Sequence, residues 1–245
     1  MSNTIPLTFV TWKWRGPDPA RQFPSHAVNA LYAMIVRHYH APFRLVCLTD
    51  DFSGLDGKID AVPLPVTKAD ALLAPNTTFA KTFPSCFRRL WLFSEEAKAL
   101  GARICLLDID VIILEDITDL VDGKTADFVG WCGKDGLSKI AGGMWLLTTG
   151  SHTDVWDAFD PQSSPALAYT AGHRGSDQGW LSYMLYPPQE RWTMADGIYK
   201  MTWLRKSGQR PPPEVKMVFT TGLDAPWTPR CQLGHSWVRD YWRLD

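Results

Sequence analysis

Apolar strand-like runs alternate with amphipathic helical segments through the first half of this 245-residue chain, and this alternation limits the possible folds most. Residues 7–13 (LTFVTWK) and 43–49 (FRLVCLT) have the composition of buried strands. Between them, a helical apolar spacing that Ser25 is expected to cap stops before Pro42. Strands and helices in this order form a sheet with right-handed crossovers. The sequence therefore predicts an α/β fold.

The alternation continues further along the chain. Residues 59–64 predict a short strand, and a helix is expected to open at Pro84 and end at Gly101. The run RICLL (103–107) is apolar on both faces, as a central parallel strand requires. A last strand is predicted over 216–221 (KMVFTT). No repeat, low-complexity tract or domain boundary interrupts this pattern, so a single domain is expected.

Composition places the chain among ordinary globular proteins. It is 45% hydrophobic and 21% charged, and its net charge of −1 gives no global sign of nucleic-acid binding. Residues 200–245 are locally basic, with eight Lys/Arg against four Asp/Glu, and this segment could face an anionic ligand or only solvent. Twelve tryptophans are expected mostly in the core, although sugar-handling proteins also use flat aromatic faces.

The cysteines and the N-terminal segment bear on the cellular location. Five scattered cysteines without a CxxC pair are expected to be reduced core residues, as in a cytosolic chain. The sequence has no signal-peptide pattern and no apolar run of about 18 residues, so no integral membrane segment is expected. These features predict a cytoplasmic protein, with peripheral attachment to a membrane as an alternative.

Two aspartates interrupt the apolar run ICLLDIDVII (104–113). Because burying an unpaired carboxylate is costly, and because ligands of open α/β sheets bind beyond the carboxyl ends of strands, Asp108 and Asp110 are expected at such an end. Strand side chains alternate, so Ile109 would turn to the core. Neighbouring carboxylates suit a hard divalent ion, Mg²⁺ or Mn²⁺. Strand-end caps that make turn hydrogen bonds are the alternative.

The order of several motifs along nearly the whole chain resembles that of small bacterial and viral nucleotide-sugar glycosyltransferases of the GT-A fold. The motifs that carry the resemblance are FVTWKW (9–14), HAVNALYAMIVRHYHAPFRLVCLTDD (26–51), LLDIDVII (106–113), GGMWLL (142–147), GSDQGWLS (175–182), VFTTGLDAPW (218–227) and HSWVRDYW (235–242). The resemblance implies a GT-A-like, Rossmann-like mixed sheet flanked by helices in a single domain. Residues 1–114 would be the nucleotide-binding half, and residues 115–245 the sugar and acceptor half.

The same resemblance implies a metal-dependent glycosyltransferase with Mn²⁺ or Mg²⁺ as cofactor. Such an enzyme moves a sugar from a nucleotide-diphosphate donor, with a UDP-sugar favoured, to a hydroxyl acceptor. A surface glycan or lipid-linked glycan is the favoured acceptor. A virus-encoded enzyme that acts on hydroxylated DNA bases is the alternative, which the basic segment 200–245 fits weakly. The sugar, the nucleotide, the stereochemical outcome and the oligomeric state are left open.

The resemblance also assigns residues to the nucleotide and the metal ion. The end of the first strand would hold the nucleobase and ribose through Thr11, Trp12 and Lys13. Asp108 and Asp110 would bind the metal ion that bridges the donor diphosphate, with Asp110 as the favoured direct ligand. Arg89 would neutralise phosphate charge, or it is an arginine on a helix surface.

Four further residues would contact the transferred sugar. Gly142 and Gly143 would let the backbone approach the ligand closely, or they form a bulge before the next strand. Asp177 and Gln178 resemble an Asp-Gln pair that contacts the sugar. Asp177 could act as the base toward the acceptor hydroxyl or stabilise the developing sugar cation. As a structural alternative, it is the N-cap of the helix DQGWLSYML.

One position departs from the family pattern. Relatives usually carry His-Gly where this chain has Thr221-Gly222, and that histidine commonly completes the metal site. His235 or water would then complete the shell, or the ion is held weakly.

Two other functions fit part of the sequence. The string LLDIDV also matches the nucleophile motif of haloacid-dehalogenase-like phosphatases, in which the first aspartate attacks phosphate. That family opens with the motif, whereas a complete β-α-β-α half precedes it here. A non-catalytic module that binds a sugar or nucleotide on the same fold is the second alternative, because fold alone does not fix function. Walker, GxGxxG, HExxH and GxSxG motifs do not occur in the sequence.

Overall fold

Ten strands, seven α-helices and five 3-10 helices make up the part of the chain that the computed structural model describes, residues 6–15, 23–73, 84–133, 139–204, 209–220 and 224–245. The strands are β1 (Leu7–Lys13), β2 (Phe43–Thr49), β3 (Asp60–Pro63), β4 (Arg103–Leu107), β5 (Val111–Ile113), β6 (Phe128–Trp131), β7 (Met144–Thr148), β8 (Glu190–Trp192), β9 (Ile198–Lys200) and β10 (Met217–Phe219). The α-helices are α1 (Ser25–His38), α2 (Thr118–Asp122), α3 (Asp154–Asp157), α4 (Ser164–Thr170), α5 (Asp177–Leu185), α6 (Pro229–Gly234) and α7 (Val238–Tyr241). The 3-10 helices span Lys68–Leu73, Pro84–Phe93, Glu95–Leu100, Met194–Asp196 and Met201–Trp203.

Seven strands form one mixed sheet in the order β3-β2-β1-β4-β7-β6-β8. β1 is parallel to both β2 and β4, whereas β7 is antiparallel to both of its neighbours. The other strands therefore end at one edge, which we name the carboxyl edge. β7 begins there, because Met144 pairs with Leu107 at the end of β4. The predicted single-domain, mixed α/β sheet flanked by helices is confirmed.

Two apolar layers cover the faces of this sheet. Side chains alternate along β1, so Phe9 belongs to the same hydrophobic cluster as Leu31 of α1, while Val10 belongs to the cluster that contains Leu90 and Leu181 of α5. We name the two sides the α1 layer and the α5 layer. The central strands are buried on both faces, which explains why their sequences are apolar without alternation.

Two helix predictions need correction. α1 begins at Ser25, but Pro24 occupies the N-cap position, and the Ser25 hydroxyl donates to the Ser53 carbonyl oxygen at 2.5 Å. The expected helix from Pro84 to Gly101 is two 3-10 helices, because Ser94 between them has extended dihedrals (φ −76°, ψ 161°). Serine favours helix starts over helix interiors, which accounts for the break. Gly101 ends the second helix as predicted.

A second sheet packs beside the first in the order β5-β10-β9. β10 is antiparallel to β5 and parallel to β9. It corresponds to the strand predicted over 216–221 but is shorter, and Thr221 lies outside the described residues. This small sheet brings β10 next to the turn that follows β4.

All five cysteines are free thiols, in agreement with the prediction of reduced cysteines. Among the described residues, none of the helices has the length and apolar character needed to cross a membrane.

Candidate active site

Asp108 and Asp110 lie in the turn between β4 and β5, at the carboxyl edge, as the sequence predicts. The Asp108 N–H donates to the Gly143 carbonyl oxygen at 2.9 Å. The Asp110 carbonyl oxygen accepts the Thr220 N–H at 3.3 Å and the Thr220 hydroxyl at 2.9 Å. Ile109 between them is buried in the α1 layer. The turn is therefore fixed from two sides, by the residues before β7 and by those after β10.

Arg89 joins two of the predicted acidic residues. Its Nη1 contacts Asp108 Oδ1, and its Nη2 lies 2.7 Å from Asp177 Oδ2. The side chains of Arg89 and Asp177 are 8% and 1% exposed. Burial lowers the pKa of Arg89, but the carboxylates of Asp177 and Asp108 outweigh this effect and raise the pKa above its usual value. The three side chains form a charged group in which Arg89 stays protonated.

Gly142 and Gly143 supply the space that this group occupies. A Cβ atom on Gly142 would lie 2.7 Å from Arg89 Nη2 and 3.3 Å from the Asp177 carboxylate. A Cβ atom on Gly143 would lie 3.2 Å from Asp108 Oδ2 and 3.0 Å from the Phe219 ring. The 2.7 Å contact is shorter than Cβ atoms make and the others are tight, so a side chain at either glycine would require the neighbouring groups to shift.

Asp177 and Gln178 begin α5, on the same side of the sheet as Arg89. The N-cap position belongs to Ser176, whose hydroxyl donates to Asp177 Oδ1 at 3.0 Å. Asp177 is thus turned inward and is not the N-cap. The Gln178 side-chain oxygen accepts the Gly142 N–H at 3.4 Å. The four residues predicted to contact the sugar therefore lie together, with Arg89 among them.

The two aspartates of the turn carry shifted acidities. Burial, and then the neighbouring Asp108 charge, raise the pKa of Asp110 to about 8. Burial also raises the pKa of Asp108, although Arg89 opposes the shift. No ion pair to Asp110 is present in the part of the chain that the structure describes. Carboxylate oxygens are hard ligands, which Mn²⁺ and Mg²⁺ prefer, and the negative charge of Asp110 has no matching cation among the described residues. Asp108 and Asp110 therefore fit a divalent ion.

A third metal ligand is not found among the described residues, where no group of three or more His, Cys, Asp or Glu side chains could hold a metal ion. His235 follows α6, and its ring lies 6.0 Å from the Trp237 ring. It therefore forms no such group with Asp108 and Asp110. Its assignment to the metal stays a prediction, and Thr221 lies outside the described residues.

The end of β1 carries the residues predicted to hold the nucleoside. Thr11, Trp12 and Lys13 are buried, and Lys13 Nζ lies 3.1 Å from Asp51 Oδ2. Hydrogen bonds from Ser53 and Lys13 lower the pKa of Asp51. Thr11 Oγ1 and Trp12 Nε1 have no hydrogen-bond partner within the described ranges. Buried polar atoms of this kind usually bond to a ligand or water.

Sequence reasoning did not single out several residues around the turn. Thr220 fixes Asp110, and the Phe219 ring stacks on the Trp131 ring with centroids 4.6 Å apart. Lys200 at the end of β9 pairs in register with Phe219. The order in which β10 pairs with β5 and β9 brings these residues together, and no local motif reports that order.

Comparisons with known proteins show similarity in structure and not in sequence. No protein-family model matches the chain, and no curated protein matches it. A crystal structure of galactosyltransferase LgtC with donor and acceptor sugar analogs matches with a TM-score of 0.63 and 15% identity, over 95% of this chain and 94% of that chain. An active-site mutant of LgtC matches with a TM-score of 0.60 and 14% identity over the same shares.

A third solved structure extends this comparison. The apo form of the glycosyltransferase GlyE from Streptococcus pneumoniae TIGR4 matches with a TM-score of 0.56 and 13% identity, over 91% of this chain and 56% of GlyE. The chain thus spans little more than half of GlyE but nearly all of LgtC. Its mixed α/β domain has the GT-A-type fold of these glycosyltransferases.

Proposed function

We propose that this protein is a metal-dependent glycosyltransferase that moves a sugar from a nucleotide-diphosphate donor, a UDP-sugar by preference, to a hydroxyl of a saccharide. One observation carries the proposal, namely the Asp108–Arg89–Asp177 group beside Gly142 and Gly143 at the carboxyl edge, in which Arg89 and Asp177 are buried while Asp108 is partly exposed. Ligands of open α/β sheets bind at this edge. LgtC, which shares the fold, is a galactosyltransferase crystallised with donor and acceptor sugar analogs.

The residues of the turn would hold the metal ion. Asp110 would be a direct ligand, and Asp108 would supply the carboxylate oxygen that Arg89 leaves free. Bound there, Mn²⁺ or Mg²⁺ acts as a Lewis acid that offsets the negative charge of the leaving diphosphate. Because burial and the Asp108 charge raise the pKa of Asp110, a divalent ion bound there would favour its charged form.

The burial of Asp177 favours a role in positioning Arg89 and in supplying negative charge. Since its carboxylate is enclosed by Arg89 and Ser176, it holds Arg89 in place and adds negative charge behind the site. That charge stabilises positive charge that develops on the sugar during transfer. Thr11, Trp12 and Lys13 would hold the nucleoside at the neighbouring strand end, and Gly142 and Gly143 would let the sugar approach the backbone.

The test of the metal site compares two aspartates. Asp110→Ala should lower the Mn²⁺-stimulated release of nucleoside diphosphate from the donor by about 100-fold or more, because it removes a ligand of the ion. Asp116→Ala, which removes an exposed carboxylate after β5, should leave the rate unchanged. Melting curves check that both variants fold. Wild-type turnover in a folded Asp110→Ala variant would contradict the proposal.

A thermal-shift screen of nucleotide sugars, with and without Mn²⁺, identifies the donor. A ligand that binds only the folded state raises the melting temperature, and the donor should do so more strongly with the ion present. Binding without any transfer to a broad acceptor panel would favour the non-catalytic alternative. Activity on hydroxylated DNA should fall steeply with salt, whereas transfer to a small saccharide should not.

A further inference from the structure

A cluster of aromatic side chains around one lysine lies beside the proposed metal site. We name it the Trp131 cluster, and its members are Trp131, Tyr199, Lys200, Trp203 and Phe219. The Trp131 ring stacks on Phe219 at 4.6 Å and meets the Trp203 ring edge-on at 6.1 Å. Lys200 Nζ lies 5.5 Å from the Trp131 ring and 5.6 Å from the Trp203 ring. Strands β6, β9 and β10 and the 3-10 helix Met201–Trp203 contribute these residues.

Gly143 lies between the Trp131 cluster and the turn that carries Asp108 and Asp110. A Cβ atom on Gly143 would lie 3.0 Å from the Phe219 ring on one side and 3.2 Å from Asp108 Oδ2 on the other. Thr220, the next residue after Phe219, holds the Asp110 carbonyl. A molecule seated on the Trp131 cluster would therefore lie within reach of a sugar bound at Gly142 and Gly143.

Two polar groups of the Trp131 cluster lack an acceptor. Trp131 is 2% exposed, and its Nε1 has no hydrogen-bond partner among the residues that the structure describes. Lys200 is half-buried and makes no ion pair in that same part of the chain. Burial lowers the pKa of Lys200, and no carboxylate within the described ranges opposes the shift. Contacts with the two rings offset only part of the cost of burying a cation.

The unpartnered Trp131 indole N–H and the Lys200 ammonium together indicate an anionic ligand. Buried indole N–H groups usually have a partner, and a buried ammonium is stabilised most by a negative group that accepts its hydrogen bonds. Aromatic walls with a few polar groups are typical of small-molecule sites. The chemistry is that of a sugar ring against the partly exposed Trp203 ring, with an acidic substituent against the ammonium.

We propose that the Trp131 cluster is the acceptor subsite and that the acceptor is a saccharide with an anionic group, a carboxylate or a phosphate. This inference rests on the proposed function, since it names the acceptor class of the same site. Lys200 binds the anionic group, the Trp131 indole N–H donates to it from behind, and the partly exposed ring of Trp203 binds the sugar. The basic charge of Lys200 thus selects an acidic acceptor over a neutral one.

The test measures binding of three probes by calorimetry, namely methyl β-glucoside, methyl β-glucuronide and glucose 6-phosphate. UDP and Mn²⁺ are present in one series and absent in another, so that binding at the donor diphosphate site is recognised by competition. The wild-type protein should bind an anionic probe about tenfold more tightly than the neutral one. Preference for the glucuronide identifies a carboxylate acceptor, and preference for the phosphate identifies a phosphorylated acceptor.

Three variants assign this preference to one side chain. Lys200→Gln should remove the preference for the anionic probe, while Lys200→Arg should keep it. Lys68→Gln is the matched control, because Lys68 Nζ lies 4.6 Å from the Trp156 ring outside this cluster, and it should behave as wild type. Melting curves confirm that the variants fold.

The outcomes separate the inference from the proposed function. Equal binding of neutral and anionic probes, no binding of any probe, or an unchanged preference in Lys200→Gln would overturn the acceptor subsite. None of these results affects donor binding or donor cleavage. Conversely, a Lys200-dependent preference in a protein that binds no nucleotide sugar would contradict the proposed function and leave an anion site at Lys200.

Discussion

Arg89 connects two acidic residues that belong to distant parts of the sequence. Its guanidinium contacts Asp108 in the turn after β4 and Asp177 at the start of α5. Sequence reasoning could name each of the three residues, because Asp108 and Asp177 stand in motifs and the family resemblance assigns Arg89 to the donor phosphate. It could not predict their contact, which depends on how the helix Pro84–Phe93 packs against α5. The arginine therefore has a structural role in addition to any role toward the donor.

At the residue scale, we expect Arg89→Met to destabilise the protein strongly. The variant leaves the buried Asp177 carboxylate without its cation, which costs about 3–5 kcal/mol. The double variant Arg89→Met/Asp177→Asn should lose less unfolding free energy than Arg89→Met alone, because it no longer has an unpaired buried charge. Urea unfolding followed by tryptophan fluorescence measures both free energies.

Arg88→Met is the matched control for this experiment. Arg88 precedes Arg89 in the same 3-10 helix and pairs with Asp70, and the two side chains are 17% and 29% exposed, more than those of the Arg89–Asp177 pair. Its loss should cost about 1 kcal/mol or less. If the two arginine variants lose equal unfolding free energy, burial does not increase the contribution of the Arg89–Asp177 pair to stability.

At the element scale, the glycine turn before β7 determines how closely the backbone approaches the charged group. Gly142→Ala would place a methyl group 2.7 Å from Arg89 Nη2. We expect a loss of about 1–3 kcal/mol in unfolding free energy from the overpacking. Donor cleavage should fall as well, because Arg89 and Asp177 must shift. Urea unfolding and a nucleotide-release assay measure the two effects.

Gly57→Ala serves as the control for Gly142→Ala. A Cβ atom on Gly57 meets nothing within 4 Å, so this variant should retain wild-type stability and activity. If both alanine variants behave alike, the close approach at Gly142 is not required for the site.

The elements differ in how well the sequence predicts them. The bounds of β1, β2 and β4 match the predicted strands 7–13, 43–49 and 103–107, because these strands are long, apolar and bounded by turn residues. β6, β8 and β9 have three or four residues each, which is too short to show a pattern of apolar residues that predicts a strand. Trp131, Tyr199 and Lys200 of the Trp131 cluster lie on two of these short strands, so the cluster was not predictable from local patterns.

At the scale of the whole molecule, the seven-stranded sheet separates two cores. Leu31 is fully buried in the α1 layer, and Leu90 is fully buried in the α5 layer. The sheet lies between the two layers, and the two leucines belong to separate hydrophobic clusters. Each core should therefore respond separately to a local defect.

We expect Leu31→Ala and Leu90→Ala each to lower the unfolding free energy by about 2–5 kcal/mol, because each leaves a cavity. The unfolding free energy of the double variant should fall by the sum of the two single losses, within about 0.5 kcal/mol. Urea titration of the three variants provides the comparison. A large interaction energy would mean that strain crosses the sheet and that the two layers act as one core.

The two outer strands of the sheet affect how neighbouring copies of the chain meet in a crowded cell. β3 has four residues and ends in Pro63, which lacks the N–H that an added strand would need. β8 has three residues, and the Glu190 carboxylate accepts the N–H groups of Thr125 and Ala126. Short, charged or proline-ended borders are poor templates for strand addition. The protein is thereby protected against edge-to-edge aggregation, even though the interior of its sheet is almost wholly apolar.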